Sequence, residues 1–464
     1  MENTGDFYQF FCTKRLGRKK IVITTPLRMP FQRNYRSRSI FYRNPLFLHQ
    51  HPIHSSQIIQ LQVLPKIEPK RLAIKIKTAA QKAVRHGHPW VFEAGIVKQS
   101  KAGKAGDLAV IFDQKRNKFL AVGLYDPHSV IRIKILQANQ PATIDAHWFA
   151  EKIQQAWQKR QPLFNTQTNS YRFIYGENDG LPGFIADVYA NVLVVKLYSA
   201  IWLPYLSLLF EPLLRHSECD ILVLRLSRSL QKIQEELYGL EDGQVLVGDL
   251  ASEEVIFLEH GLKFSANVIR GHKTGYFLDH RHNRHKVGHL AKGKTVLDVF
   301  SYAGGFSVHA LAGGAASVTS LDISSHALAV AEKNVALNKL DAKHHIMAAD
   351  AFEALEHLVK NKKTFDLVII DPPSFAKREA ERTKALESYR RLASLGAKIT
   401  ANKGILLLAS CSSRIKADEF FALNHEVLQS TQRSFKELER TFHDIDHPIG
   451  FEEGAYLKAG YYQF

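Results

Sequence analysis

Between Lys294 and Asp322 the chain reads KTVLDVFSYAGGFSVHALA, and after Gly313-Gly314-Ala315-Ala316 it continues SVTSLD. Val296, Leu297, Val299 and Phe300 make a short apolar run of the kind that forms a buried strand, Gly304 and Gly305 permit a tight turn, and the apolar spacing from Phe306 predicts a helix. A second strand, Ser317 to Leu321, then ends on the carboxylate of Asp322. Strand, glycine turn, helix and strand in that order predict an open α/β sheet, which binds ligands at the carboxyl ends of its strands and places an acid there to accept bonds from a ribose.

The spacing narrows the ligand. Neither GxGxxG nor GxxxxGK[ST] occurs in this loop, which starts at Asp298 and carries no lysine or Ser/Thr pair placed to hold phosphates. A polyphosphate is therefore disfavoured. Two further strands follow: His344 to Ala348, leading into Ala349-Asp350, and Phe365-Asp-Leu-Val-Ile-Ile, ending in Asp371-Pro372-Pro373. This arrangement resembles the cofactor loop of class I S-adenosylmethionine-dependent methyltransferases. The resemblance implies S-adenosylmethionine as cofactor, with Asp298, Phe300, Tyr302 and Gly304 around it, Asp322 on the ribose, Asp350 on the adenine amino group and Asp371 facing the substrate.

After Asp371-Pro372-Pro373-Ser374 a helix is expected over about 380–400, and Gly404 to Ser413 reads as a buried strand ending in Ser410-Cys411-Ser412. If these strands are neighbours, Cys411 lands near Asp371. On position alone a free cysteine is as readily a small buried hydrophobe. Chemistry weighs the other way: carbon 5 of cytosine is too weak a nucleophile to take a methyl group directly, and addition of a thiolate to carbon 6 activates it. That route needs a cysteine with access to its thiolate, an acid at N3 and a base for the carbon 5 proton. Cys411 and Asp371 suit the first two roles, and no residue is assigned as the base.

The 464 residues predict two to four domains. Cys12, Cys219 and Cys411 are far apart and lack CxxC spacing, so neither a disulfide framework nor a metal site is expected, and a reducing, cytoplasmic setting is. No run is long and apolar enough for a spanning helix, so no membrane partner is expected. The net charge of +17 favours a polyanionic partner, although residues 1–65 alone carry +8 of it. Residues 1–68 lack periodicity and are rich in Arg, Phe, Tyr and His. They read as a disordered basic extension: a transit peptide, an RNA-binding arm, or a product of an upstream start.

Residues 70–140 read as a small β-barrel of short strands, including Leu72 to Lys77, Asp107 to Phe112, Phe119 to Tyr125 and Val130 to Leu136. His88-Pro-Trp-Val-Phe, Gly106-Asp107 and Gly123-Leu-Tyr resemble the RNA-binding PUA domain. In Ile131-Arg-Ile-Lys-Ile the alternation puts cations on one face, suited to phosphates or simply to solvent. Residues 141–260 then read as a connecting helix, capped by Thr143 or Asp145, and a small α+β domain that includes a helical run from Trp202 to Leu214 and a strand from Glu254 to Glu259. Glu177, Asn178 and Asp179 are read as turn formers.

Residues 261–464 are the expected methyltransferase domain. Its entry segment contains Lys273-Thr274-Gly-Tyr-Phe-Leu-Asp279 and Arg281, which match the family's segment over the cofactor, while His280, His282 and His285 read as solvated rather than as metal ligands. With His447-Pro and Glu453-Gly-Ala-Tyr-Leu-Lys458, the chain from Leu72 onward resembles the PUA-containing 23S rRNA cytosine-C5 methyltransferases. Many such RNA enzymes carry a second cysteine after Asp-Pro-Pro, where this chain has Ser374. The resemblance implies an α/β fold with a Rossmann-like, mostly parallel sheet preceded by the PUA barrel and the α+β domain, and ribosomal RNA as partner. It leaves the oligomeric state open, a homodimer included. Guanine N7 or other nitrogen methylation, which needs no thiol, and a non-catalytic ribosome-assembly role are the alternatives.

Overall fold

The computed structural model describes residues 64–340, 343–376 and 378–464. The expected N-terminal extension lies outside the described residues except for its last few, and there Leu64 is buried in the core of the central domain rather than disordered. The first sheet comprises β1 (Arg71–Ile76), β2 (Trp90–Val91), β3 (Ile96–Gln99), β4 (Leu108–Phe112), β5 (Phe119–Tyr125) and β6 (Ile133–Ala138), with helix α1 (Thr78–Arg85) after β1. Its order is β2-β6-β5-β4-β1-β3. Alternation sends Leu72, Ile74 and Ile76 into a shared core with Ile111 and Ile133 and leaves Arg71 and Ala73 outside. The expected cationic strand at 130–136 is corrected: β6 begins at Ile133, and Lys134 is buried with its ammonium 2.6 Å from Asp126. Ser199 of the next domain bonds the same carboxylate, so this cation is paired within the protein rather than free in solvent.

Helix α2 (Ala146–Arg160) follows, and Asp145, not Thr143, caps it by accepting from the backbone N–H of Trp148. The central sheet, ordered β11-β10-β9-β8-β7, contains β7 (Ser170–Tyr175), β8 (Phe184–Tyr189), β9 (Val192–Leu197), β10 (Ile221–Leu226) and β11 (Gln244–Val247). Helix α3 (Leu206–Ser217) forms the crossover between parallel β9 and β10. The helical run expected from Trp202 starts as a 3-10 turn over Ala200–Tyr205, because Pro204 cannot donate the backbone bond that an α-helix requires. The strand expected to complete this domain, β12 (Glu254–Glu259), instead pairs with β13 (Leu262–Asn267) in a separate hairpin.

Helix α4 (Arg281–Leu290) leads to the third unit, in which β14 (Thr295–Val299), α5 (Gly305–Ala312), β15 (Ser317–Asp322), α6 (Ser325–Leu337), β16 (His344–Ala348), α7 (Ala351–Lys360), β17 (Phe365–Ile370), α8 (Arg382–Ile399), β18 (Thr400–Ser410), α9 (Ala417–Ser430), β19 (Lys436–Thr441) and β20 (Lys458–Gln463) follow in turn. The sheet order is β16-β15-β14-β17-β18-β20-β19. The pairs among β14 to β18 are parallel, and β20 runs antiparallel between β18 and β19. Both faces are covered at the centre of the sheet, which is why β14 and β17 are buried along most of their length, whereas the edge strand β16 stays partly exposed. On β14, Val296 packs with Val287, Val308 and Val335 of α4, α5 and α6, whereas Leu297 packs with Leu355, Leu392 and Phe420 of α7, α8 and α9. The order reverses beside β14, with β15 on one side and β17 on the other, and this crevice is where such sheets receive ligands.

Candidate active site

The turn after β14 requires backbone conformations that side chains disfavour: Phe300, Tyr302 and Gly304 have φ of 63°, 47° and 72°. Strain of this kind persists only where surrounding bonds fix it. Here Asp322 accepts from the Tyr302 N–H at 2.9 Å, and its other oxygen accepts from Ser324 N–H at 2.9 Å. A Cβ on Gly304 would sit 2.8 Å from that of Ala331, and one on Gly305 would sit 2.6 Å from the Tyr276 hydroxyl, so both glycines also allow close packing.

The strand ends bring Asp298, Asp322, Asp350 and Asp371 to one edge of the sheet. Asp298 is buried, with one oxygen accepting from the Ser307 hydroxyl at 2.7 Å and its other oxygen, Oδ1, without a partner. Burial pushes its carboxyl up to about 7; the Ser307 bonds oppose this, and Asp371 and Asp322 add to it. Asp350 caps α7, its Oδ1 accepting from the Phe352 and Glu353 N–H groups. The cluster is an acid-rich crevice that favours a cationic or multiply hydroxylated ligand.

Across β17 and β18 the Cys411 thiol donates to the carbonyl oxygen of Pro372 at 3.7 Å. The adjacency expected from sequence is thereby present. Burial, then Asp371 and Asp279, push the thiol up to about 12, with Lys273 and Lys458 pulling it back. Lys458, itself buried, donates to the carbonyls of Ser412, Ile415 and Tyr456, clamping the turn that carries Cys411. Ser374 donates to the Ala376 carbonyl at 3.2 Å, within the turn after Asp371.

His280 overturns its solvated reading. Its side chain is only 6% exposed, its Nε2 lies 3.2 Å from Asp371 Oδ1, and its ring meets Phe306 of α5 edge-on at 5.5 Å. The signal available was position alone, directly after Asp279 and at the start of α4. Tyr456, in the quoted Gly-Ala-Tyr-Leu-Lys stretch, was also missed: its hydroxyl donates to Asp279 at 2.8 Å. Burial would raise the Asp279 carboxyl, but Lys273, His447 and His280 hold it well below the usual carboxylate range.

Two entry-segment residues are turned elsewhere. Thr274 is fully buried and donates to Asp187, while Arg281 is fully buried and ion-paired to Asp444 and Asp446. Both stand away from the strand ends because buried carboxylates of other elements capture their donors. Lys273 remains exposed, and with Tyr456 it lines a cavity of about 990 Å³ whose other walls include Asp126 and Lys134 of the first sheet and Arg172, Tyr175 and Tyr198 of the second. Among the described residues, no group of three or more His, Cys, Asp or Glu is arranged to hold a metal, and no helix is long and apolar enough to cross a membrane.

S-adenosylmethionine fits this donor set: it carries ribose hydroxyls, an adenine amino group, an ammonium and a sulfonium, and the crevice offers four carboxylates, one with an orphaned buried oxygen. Residues 239–455 match the S-adenosylmethionine-dependent methyltransferase family, and residues 74–138 match the PUA-like domain. A ribosomal RNA large subunit methyltransferase of Deinococcus radiodurans is 44% identical over 405 residues, covering 86% of this chain and 99% of that protein. The ribosomal RNA large subunit methyltransferase I of Alteromonas mediterranea is 34% identical, covering 83% and 96%. Among solved structures, a methyltransferase complexed with SAH superposes with a TM-score of 0.72 at 21% identity, covering 85% of this chain and 100% of the other, and an S-adenosylmethionine-dependent methyltransferase from Streptococcus mutans superposes with 0.71 at 20%, covering 84% and 100%. An acid-lined crevice at the switch point of a seven-stranded sheet, behind a PUA-like domain, and this extent of identity place the chain in the family of S-adenosylmethionine-dependent ribosomal RNA large subunit methyltransferases.

Proposed function

We propose that the protein methylates carbon 5 of a cytosine in large-subunit ribosomal RNA through a covalent adduct on Cys411. The observation that carries this reading is the Cys411 thiol 3.7 Å from Pro372 O, directly beside Asp371 at the ends of two paired parallel strands. Bound S-adenosylmethionine supplies an electrophilic methyl group on a sulfonium. Asp322 is the residue for the ribose, Asp350 for the adenine and Asp298 for the ammonium; Lys273, at the mouth, suits the cofactor carboxylate or an RNA phosphate.

Cys411 forms a bond to carbon 6 as its thiolate; the ring electrons move onto N3, which takes a proton from Asp371, leaving carbon 5 enamine-like. After carbon 5 is methylated, a base, to which no residue is assigned, takes its proton; the electrons of that bond restore the carbon 5–carbon 6 double bond and expel the cysteine as thiolate, and N3 returns its proton to Asp371. The cavity of about 990 Å³ running from the PUA-like sheet to Tyr456 and Lys273 supports an RNA approach with the target nucleotide turned out of its stack. A cytoplasmic location belongs to the same proposal.

A second reading draws on one observation, the thiol pushed up to about 12 in the free protein: methylation of a ring nitrogen, guanine N7 among them, needs no thiolate. Mass spectrometry of large-subunit ribosomal RNA from a deletion strain, complemented with wild type or Cys411→Ala, tests the proposal. Loss of one 5-methylcytidine that only wild type restores supports it. Restoration of the 5-methylcytidine by the Cys411→Ala variant overturns the covalent route, loss of a nitrogen-methylated nucleoside instead favours nitrogen methylation, and no lost methyl group at all favours the non-catalytic assembly role.

A further inference from the structure

Glu177 belongs to the 3-10 turn Gly176–Asp179, and its backbone carbonyl serves that turn by accepting from the Gly180 N–H at 3.1 Å. The carboxylate is left for another use. Its Oε1 accepts from the indole N–H of Trp90 on the PUA-like sheet at 2.9 Å, which fixes the direction of the side chain, and no hydrogen bond among the described residues engages Oε2. Glu177 and Tyr198 both line the cavity of about 990 Å³. The residue before β8 brings them together: the Gly183 carbonyl accepts from the Tyr198 N–H at 2.9 Å, and a Cβ added to Gly176 would lie 3.7 Å from the Gly183 nitrogen. Gly183 puts no side chain on the floor between the two. Tyr198 is 47% exposed, yet burial still raises its hydroxyl, as befits a ring that faces a concavity rather than open solvent.

A carboxylate on the path of a polyanion repels its phosphates and is useful there only toward N–H donors of a base. An ionised carboxylate accepts and never donates. On their Watson–Crick edges, adenine and cytosine set an acceptor beside the amino group, and uracil flanks its single N–H with two carbonyls. Each would turn an acceptor toward Glu177. Guanine alone presents two adjacent donors, N1–H and the 2-amino group, spaced to meet two carboxylate oxygens.

We propose that Glu177 and Tyr198 form a guanine subsite that reads one unpaired nucleotide of the RNA near the target cytosine, the ring stacking on the base and the carboxylate accepting from N1–H and the 2-amino group. The proposal rests on the reading of this cavity as the path of the RNA to Cys411. Stacking on an aromatic ring with bonds to the Watson–Crick edge is how unstacked RNA bases are held. The cavity falls within the range of small-ligand sites, about 300–1,000 Å³, and has room for a nucleotide with its phosphate. Lys232 and Lys273 are exposed along the same walls and suit the flanking phosphates. Lys273 also ties the subsite to the chemistry, since its ammonium acts on both Asp279 and the Cys411 thiol, and Tyr456, another wall, donates to Asp279. Glu177 and Tyr198 select which sequence is presented to the thiol; they touch no reacting atom and are specificity residues.

The test is nucleotide analogue interference with the full-length protein. Overlapping transcripts of large-subunit ribosomal RNA are screened with radiolabelled S-adenosylmethionine for the one that wild type methylates. That transcript is then made with inosine, which keeps N1–H and lacks the 2-amino group, at random guanine positions marked by cleavable phosphorothioates, and bound RNA is separated from free. Inosine at one guanine should weaken binding about tenfold, the loss of one hydrogen bond to a charged group, while phosphorothioate guanosine at the same position does not. Glu177→Gln, whose side-chain oxygen still accepts from Trp90, should bind unmodified RNA about tenfold more weakly and show no inosine interference at that position. Tyr198→Ala should lose about tenfold, whereas Tyr198→Phe, which stacks as well, should bind like wild type. Thermal melts and S-adenosylmethionine binding establish that each variant is folded. Absence of any interfering guanine, unchanged interference in Glu177→Gln, or wild-type binding by Tyr198→Ala overturns the subsite. If wild type neither binds nor methylates any transcript, the RNA path and the subsite fall together, whereas an interfering guanine in an RNA methylated on a ring nitrogen removes the covalent route and leaves the subsite standing.

Discussion

Cys411 at the end of β18 hydrogen-bonds to the carbonyl of Pro372, the residue directly after Asp371. A thiol donating to a carbonyl is a resting nucleophile. Its burial beside Asp371 and Asp279 keeps it protonated at neutral pH, since only the thiolate would be repelled by those carboxylates.

Cys411→Ala should therefore abolish methylation and the trapped adduct on 5-fluorocytosine RNA while leaving S-adenosylmethionine affinity intact, because the change removes little volume. In the free wild-type protein, alkylation of Cys411 by iodoacetamide at about pH 8 should be slower than that of a free thiol, whose ordinary value is about 8.5. Peptide mapping of the alkylated protein reads this directly.

Asp322 holds Tyr302 in its left-handed conformation, and in the proposed function its carboxylate also accepts from a ribose. Asp322→Ala should weaken S-adenosylmethionine binding by at least about tenfold, corresponding to about 1.4 kcal/mol, within the range of one charge-assisted hydrogen bond. Calorimetry showing wild-type affinity would remove Asp322 from the cofactor site.

On the PUA-like sheet the register pairs Lys75 of β1 directly with Lys98 of β3. Like charges placed opposite each other are unfavourable unless an anion lies across them. With Lys134 and Arg132 tied to Asp126 and Glu93, this pair is the better candidate for phosphate contact. Lys75→Ala with Lys98→Ala should weaken RNA binding and flatten the slope of log affinity against log salt by about 2, near 0.9 per phosphate released. An unchanged slope would leave this sheet a structural role.

Asp446 is fully buried and accepts from Arg281 and from the backbone N–H of Arg172, while its own backbone carbonyl accepts from Arg160. It thereby joins α4 of the catalytic unit to α2 and β7 of the central domain. Burial would raise its carboxyl, but Arg281 and His447 hold it far below the usual range. A depressed carboxylate contributes stability that is fully present above its unfolded value, about 3.9, and is lost as pH falls from there through the folded value. Asp446→Ala leaves Arg281 with an uncompensated share of buried charge and should cost about 3–5 kcal/mol in urea unfolding at neutral pH. The variant should also lose less further stability than wild type on acidification below about pH 4.

Local pattern was enough for the parallel strands of the catalytic sheet but not for the antiparallel Lys436–Thr441 and Lys458–Gln463, which were not read as strands. Phe365–Ile370 forms as read, since a run of apolar residues between turn formers encodes a strand covered on both faces without reference to distant parts of the chain; His344–Ala348 also forms as read, but as an edge strand with none of its residues buried. The acids at the ends of these strands followed from the same pattern. The strand Glu254–Glu259 was also legible, but its partner was not, because a strand carries no mark of which edge it will join. Polar residues were the hardest to place. Arg281 and Asp446 lie 165 positions apart, and Asn283 meets Thr441 and Tyr461 across 158 and 178. Whether a histidine such as His280 is solvated or buried beside Asp371 depends on what folds over it. The sequence determined which residues could line a methyltransferase crevice; only the tertiary structure decided which buried charges found partners, because desolvation makes pairing obligatory without dictating where along the chain the partner lies.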